Sequence, residues 1–376
     1  MTQKTYTVWQ RRILRFSAFT MLIGTVAFIM LMSIVFSSCV HDDQDDCGLN
    51  IRFRYTYNVK NADAFSHEVK SIDLYVFDED GKYIKRYSDA SEQFGAGYQM
   101  NIRDLKAGKY TFVCMARSEK AITDEDQEFQ IARLGKGADI NELTAHLDCN
   151  NGINGKQFAH LYVGKTSIDY SGNPQNATID LLKCSNTYRI LLLPTSKQAN
   201  FIADNFDIRI VDANNRFDHK GDLLVNPISE TDQEEVTHVP HSRSIATNNG
   251  TSPIEDSKET QAKEGSDDGK DILTSEDRDV ALIYDLRSAR LFRNDDTRLV
   301  ITDKRSGKEV FNHSLPWLLS LYGGDQRHKD WDDQEYLDRQ DHYTLTFYVD
   351  DTRDYSFTAR VKVNGWILNL IDTDVK

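Results

Sequence analysis

The sequence lacks the short motifs that mark common enzyme chemistry. It has no Gly-x-Ser-x-Gly elbow, no His-Glu-x-x-His pair, no Gly-x-Gly-x-x-Gly turn and no phosphate-binding loop. Positive charge is scarce, with 45 Lys and Arg against 59 Asp and Glu. A nucleic-acid partner needs a basic footprint, so none is expected. Cysteine is sparse too: there are five, and no two have the close spacing of a zinc site or a redox motif. Carboxylates are numerous enough to leave a glycosidase pair open, but their abundance singles out no pair. The expectation is a non-enzymatic protein with no cofactor, no metal and no small-molecule substrate.

What is present begins with an uncharged apolar stretch from Phe16 to Phe36, preceded by Lys4, Arg11, Arg12 and Arg15. Ser37-Ser38-Cys39 follows, and then Val40-His41-Asp42-Asp43-Gln44-Asp45-Asp46. A basic head, an apolar middle and small residues before a cut site compose a secretory signal. The Cys placed just after that site resembles the lipobox of bacterial lipoproteins, although Phe36 is bulky for its position. That resemblance makes Cys39 the lipid-modified N-terminus of the mature protein. An uncleaved helix is the alternative, since the stretch is long enough to span a bilayer. Acyl chains contribute ~0.8 kcal/mol per buried CH₂, and stable anchoring takes more than one chain. Asp42, Asp43, Asp45 and Asp46 read either as a solvated tether or as a surface-export signal, resembling the acidic motif that follows the lipidated Cys in lipoproteins of Bacteroidota. Removal of the four basic residues takes the formal net charge from −14 to −18, which suits an exposed surface. With Cys39 lipidated, Cys47, Cys114, Cys149 and Cys184 remain. Export opens disulfide formation, and four Cys allow three pairings between which the sequence does not choose.

The rest of the chain is rich in strand patterns. Leu49, Ile51, Phe53, Tyr55 and Tyr57 alternate with polar residues. Ser71–Phe77 and Tyr83–Tyr87 flank Asp78-Glu79-Asp80-Gly81, a hairpin signal that reads as a plain turn rather than a calcium loop. Tyr98–Ile102, a turn at Lys106–Lys109 and Tyr110–Ala116 follow the order of transthyretin-like sandwiches. Ala132–Cys149 reads as a short helix and loop, with Ile140, Leu143 and Leu147 at helical spacing. His146 and His160 stand alone, and His238-Val239-Pro240-His241 lacks the partners of a metal site. Strands are expected at 177–182, 188–193, 205–211, 280–284, 288–292, 297–302 and 343–349. Short helices are expected at 315–322, where Pro316 suits a first turn, and at 333–340. Ser242–Ser275 is polar and reads as a loop insertion. Val361, Val363, Trp366, Leu368 and Leu370 read as one strand whose phase shifts at Asn364-Gly365, as at a bulge or kink. Many short strands with turn signals imply sandwiches. Aromatics alternating along strands suit a core, and a stacking platform for sugars would look alike.

Several stretches together resemble the FimB/Mfa-type fimbrial anchor family of Bacteroidota. They are the Cys39 lipobox, Cys47, Ile51-Arg52-Phe53, Asp63-Ala64-Phe65, 74–81, Gly108-Lys109-Tyr110, Ala289-Arg290-Leu291-Phe292, Gln334–Gln340 and Val363-Asn364-Gly365-Trp366. The resemblance implies an all-β protein with two tandem transthyretin-like β-sandwich domains after a lipoprotein signal peptide. The expected division is 1–38 signal, 39–48 acidic lipid-anchored tether, 49–184 N-terminal sandwich and 185–376 C-terminal sandwich, with 242–275 inserted in the latter. It further implies a structural lipoprotein at the base of a fimbrium, held in the outer membrane by lipid, partnered with a shaft subunit (fimbrillin) and linked to fimbrial length and adhesion. The C-terminal strand carrying Val361, Val363, Trp366, Leu368 and Leu370 is the candidate contact to that subunit; the alternative is an ordinary internal strand. Other readings are a free-standing surface lipoprotein that binds glycan or host protein, and a tip or accessory subunit.

Overall fold

The computed structural model describes residues 48–369 apart from 121–127, 196–200, 213–214, 225–234, 248–249, 254–279, 324–329, 351–355 and 364–365. Strands dominate, and the fold is all-β. In chain order they begin with β1 (Leu49–Arg54), β2 (Ser71–Phe77), β3 (Tyr83–Ala90), β4 (Gln99–Ile102) and β5 (Gly108–Arg117). Next come β6 (Phe129–Ile131), β7 (Ala145–Leu147), β8 (Ile153–Asn154), β9 (Leu161–Tyr170), β10 (Gln175–Lys183) and β11 (Ser185–Pro194). Then follow β12 (Phe206–Asp212), β13 (Arg216–Phe217), β14 (Val236–His238), β15 (Ser242–Thr247), β16 (Gly250–Pro253) and β17 (Ala281–Ala289). The last are β18 (Arg298–Asp303), β19 (Lys308–Ser314), β20 (His342–Asp350), β21 (Ser356–Val363) and β22 (Trp366–Asn369). Three helices are described: α1 (Phe65–Glu68), α2 (Leu315–Gly323) and α3 (Asp333–Arg339).

Seven strands form one sheet in the order β3-β2-β5-β9-β10-β1-β4. It turns a corner where β9 meets β10, which pair over three residues only: Gly164 with Leu181, Val163 with Leu182 and Tyr162 with Lys183. The two halves then enclose a core of alternate residues, among them Leu49, Ile51 and Phe53 of β1 and Leu74 and Val76 of β2. Side chains bridge the seam between the edge strands. Asp104, just past β4, accepts from Lys85 and Tyr87 of β3, and Tyr98, just before β4, donates to Asp89 of β3. All seven residues of β2 are buried, because its two faces serve two cores. Ile72, Leu74 and Val76 face the first, while Tyr75 and Phe77 face a second core beneath the small sheet β13-β7-β6. Full burial of each large apolar side chain contributes roughly 1.5–3 kcal/mol relative to exposure.

The other sandwich stacks a seven-stranded sheet, β16-β15-β17-β11-β20-β21-β22, on a five-stranded one, β19-β18-β12-β14-β8. Its core takes Ile190 and Leu192 of β11, Ile208 and Ile210 of β12, and Leu345 and Phe347 of β20. Leu315, Leu318 and Leu319 of α2 join it. Two strands cross the junction in sequence. β8 pairs with β14 of the second sandwich, and β13 pairs with β7 beneath the first. Leu49–Lys376 accordingly forms one compact unit.

Several details differ from the sequence expectation. Ser242–Pro253 is a hairpin, β15 with β16, that extends the sheet beside β17. Ile245 packs against the core there, so one apolar residue in a polar stretch suffices. Residues 254–275 of the expected loop lie outside the described residues. The strands expected at 280–284 and 288–292 are one strand, β17, which ends at Ala289. Ala132–Cys149 holds a 3₁₀ turn at Ile140–Glu142 and strand β7, not a longer helix; its apolar spacing serves the core under β2 and β5. β4 and β5 are consecutive but not paired: β4 lies beside β1, and β5 between β2 and β9. The Asp78 turn is built as expected, its carboxylate accepting from the backbone N–H of Asp80 and Lys82.

Gly164 makes the corner possible. A Cβ there would fall 2.5 Å from the Asp180 carbonyl oxygen and 2.6 Å from Ile179 Cγ2. The obstacle is backbone of the crossing strand, which has nowhere to retreat. Gly164→Ala is therefore expected to destabilise the protein by about 1–3 kcal/mol, the usual cost of overpacking. A lower urea midpoint checks this, and an unchanged midpoint would show that the corner can widen.

Candidate functional site

For a chain without catalytic motifs, the informative features are its two ends and the junction between them. β1 is an interior strand, parallel to β10 on one side and antiparallel to β4 on the other. Leu49, Ile51 and Phe53 are at most 1% exposed. On the outer face Asn101 Nδ2 donates to Asn50 Oδ1 at 2.6 Å, and Asn50 Nδ2 donates to Asn176 Oδ1 at 3.2 Å. Arg54 forks onto Asp180 at 2.9 and 3.1 Å. β1 is thus held by two backbone ladders, a core and a polar surface row.

The C-terminal segment is a hairpin, not one kinked strand. β21 pairs with β20, and β22 folds back on β21 with Val363 opposite Trp366. The residues between are Asn364-Gly365, the dipeptide that favours two-residue hairpin loops over a bulge. Val361 and Val363 therefore lie on β21, and Trp366 and Leu368 on β22; Leu370 lies outside the described residues. Val363 is fully buried in the core of the second sandwich. β22 is the outermost strand of its sheet.

The ends point away from each other. β10 stops at the junction, and β1 runs parallel to it, so Leu49 lies at the far end of the first sandwich. β11 and β20 start at the junction and run parallel. β22 is antiparallel to β21, which is antiparallel to β20, so β22 also runs away from the junction.

The junction itself is polar and largely buried. Lys183 Nζ, its side chain 6% exposed, lies 3.1 Å from Glu68 Oε2 and 2.5 Å from Asp341 Oδ2. Tyr162 Oη donates to the same Glu68 oxygen at 2.7 Å. Arg290 forks onto Asp338 at 2.7 and 2.9 Å and donates to the Gly221 carbonyl at 2.6 Å. Arg339 donates to Asn61 Oδ1 at 2.7 Å and lies 4.1 Å over the Tyr57 ring. The stretches around Arg290 and Gln334–Gln340, set apart by the family resemblance, meet here. Sequence reading missed Lys183, Glu68 and Asp341; the available signal was a lysine ending the apolar run of β10.

The remaining sequence candidates fall as follows. Cys39, Asp42, Asp43, Asp45, Asp46 and Cys47 lie outside the described residues. Cys114 and Cys184 are free thiols buried in separate cores, and Cys47, the fourth candidate for a disulfide, lies outside the described residues. Burial pushes the Cys184 thiol up to about 12 and raises that of Cys114 well above its ordinary value. Both are inert packing groups at neutral pH. Cys149 is half-buried, its Sγ 3.6 Å from the Leu147 carbonyl oxygen. His238 is fully buried on β14. Neither ring nitrogen has a hydrogen-bond partner among the described residues, and Asp212 Oδ2 is 3.9 Å away. Burial lowers the pKa of its ring to about 3. Burial first, then Lys183, Arg287 and His342, lowers that of His160 well below its ordinary value. No helix among the described residues is long and apolar enough to cross a membrane.

Comparison with known proteins places this arrangement. The model of the fimbrillin-A associated anchor proteins Mfa1 and Mfa2 matches residues 44–372, and the chain belongs to that family. It is thereby a structural accessory of fimbriae, associated with the cell envelope. Candidate polysaccharide-binding proteins of Bacteroides thetaiotaomicron share 25% identity, covering 87% of this chain and 99% of theirs, with a TM-score of 0.67. A candidate adhesin of Bacteroides ovatus shares 22% identity over 89% of this chain and 98% of its own, at 0.66. The fimbrial anchor protein Mfa2 from Porphyromonas gingivalis shares the fold at 13% identity over 86% and 98%, at 0.58. No curated protein sequence matches.

The buried histidines set an acid limit on stability. Below pH ~6.5 the unfolded chain binds a proton at each ring that the folded chain excludes, so stability falls with falling pH. For His238 the loss runs from pH ~6.5 down to about 3. At pH ~5 one such ring costs about 2 kcal/mol. Urea midpoints at neutral pH and at pH ~5 should differ, and His238→Leu should narrow that difference by about this amount. An unchanged difference would locate the acid sensitivity elsewhere.

Proposed function

We propose that this protein anchors the base of a fimbrium to the outer membrane and ends the fibre there. Lipid on Cys39 holds the chain, and the acidic run Asp42–Asp46 directs it to the cell surface. From Cys39 to Leu49 the tether reaches at most ~33 Å. The last shaft subunit, a fimbrillin, engages the opposite end through the edge strand β22. An edge strand offers unpaired backbone groups, and strand addition there gives affinity through hydrogen bonds and specificity through alternate side chains.

The observation that carries the reading is the interior position of β1. A subunit that frees a groove by losing its first strand can be extended by the next subunit. Here β1 follows the lipidated end directly and is paired on both edges. Its loss would cut the protein from its lipid and open the first core together. Growth therefore stops at this subunit, which limits fibre length.

Two variants separate the parts. Cys39→Ala is expected to release fibres, with this protein at their base, into the medium, or to let them grow long. Deletion of Trp366–Lys376 spares Val363 in the core, and should leave a lipidated protein in the membrane that no longer copurifies with fimbriae. Electron microscopy and blots of cells and medium read both. Fibres that stay attached and of normal length in both variants would overturn the anchoring role.

A further inference from the structure

A pocket of about 830 Å³ lies beside β8, with no residue of β1 or β22 in its lining. Its walls come from Asp148, Asn150, Asn151, Ile153, Asn154 and Lys156, closed by Val239. The volume is in the range of small-ligand sites.

The walls are preformed. Ile153 N–H donates to the Asn150 carbonyl at 3.0 Å, which closes a two-residue turn on Asn151 and Gly152. Both have left-handed backbone, φ 51° and 75°. The turn is fastened to β14: Thr237 N–H donates to the Gly152 carbonyl at 2.7 Å, and Val239 N–H to the Asn154 carbonyl at 2.8 Å. Asn154 Oδ1 accepts from Lys156 N–H at 2.9 Å, which fixes the loop leaving β8. A rigid wall loses little entropy when it binds.

The chemistry of the wall selects the ligand. The exposed side chains of Asn150 and Asn151 each carry one acceptor and two donors, suited to hydroxyl groups that both give and take hydrogen bonds. One Asp and one Lys leave the pocket without net charge, which disfavours phosphates and polyanions. Ile153 is 52% exposed, the most exposed large hydrophobic among the described residues, and sets an apolar surface beside the amides. We infer that this pocket binds a neutral glycan unit, whose hydroxyls meet Asn150, Asn151 and Asp148 while its C–H face rests on Ile153. The site is separate from the anchoring reading: it involves neither the lipidated end nor the C-terminal hairpin.

The test uses the purified protein and four neutral sugars: maltotriose, xylotriose, mannotriose and N,N′-diacetylchitobiose. Saturation-transfer NMR followed by calorimetric titration reads binding. At least one sugar is expected to bind with a Kd of about 1 mM or tighter. Asn150→Ala with Ile153→Ser, both exposed positions, should weaken that binding tenfold or more while the melting temperature stays put. Asn176→Ala, on the outer face of β10, should leave it unchanged. Binding that ignores the pocket variant overturns the assignment, as does the absence of binding by all four sugars. Preference for trigalacturonate over the neutral sugars overturns the ligand class.

Discussion

The chain passes from β10 to β11 through Cys184 alone, so no linker lets the two sandwiches choose their orientation. The ends of both must meet where Lys183 emerges, and a lysine held there needs opposite charge. Glu68 supplies it from the first sandwich and Asp341 from the second. Replacing such a group with well-packed apolar side chains is often neutral for stability, whereas removing one partner is costly. The network therefore does more to fix one geometry than to add stability. Arg290 on Asp338, and Arg339 on Asn61 and Tyr57, repeat the pattern around the same passage. The exchange of β8 and β13 across it makes separation costly in backbone pairing as well.

Much of this fold was legible as period-two alternation. β1 and β12 each bury one set of alternate residues, and β20 does so apart from Thr346, which is buried as well; the sequence marks all three clearly. The Asp80-Gly81 hairpin was legible because its dipeptide has a single strong reading. Asn364-Gly365 has the same chemistry, but Val361 and Val363 are out of phase with Trp366 and Leu368, and that also fits a bulge. The ladder partner decides between the two, and it is not encoded locally. β2 could be recognised as a strand, but not its burial on both faces, which depends on β6, β7 and β13 arriving from elsewhere. β15 and β16 escaped notice because an edge hairpin needs only Ile245 to reach the core. The charged junction was invisible for a related reason: its partners are 115 and 158 residues from Lys183.

The two ends of the described chain differ in how they are built, and the difference follows from position in a sheet. A strand inside a sheet has spent all its backbone hydrogen-bonding capacity. A strand at its margin keeps half of it for a newcomer. β1 is of the first kind and β22 of the second, and they lie at opposite ends of the strand axes. A polymer subunit needs both to be available; a terminal subunit needs only one. Membership of the fimbrial anchor family and this asymmetry point in the same direction.

The placement of β1 also has a mechanical meaning. Traction applied at Leu49 acts along the strand, in line with its ladders to β10 and β4. Hydrogen bonds pulled in that direction are strained together and give way together; those of a hairpin pulled from its open end give way one at a time. Resistance to such a pull is set by the rate of unfolding and not by equilibrium stability. A load taken up at this end is thus resisted through brief tugs, even though nothing in the first sandwich exceeds ordinary strand pairing.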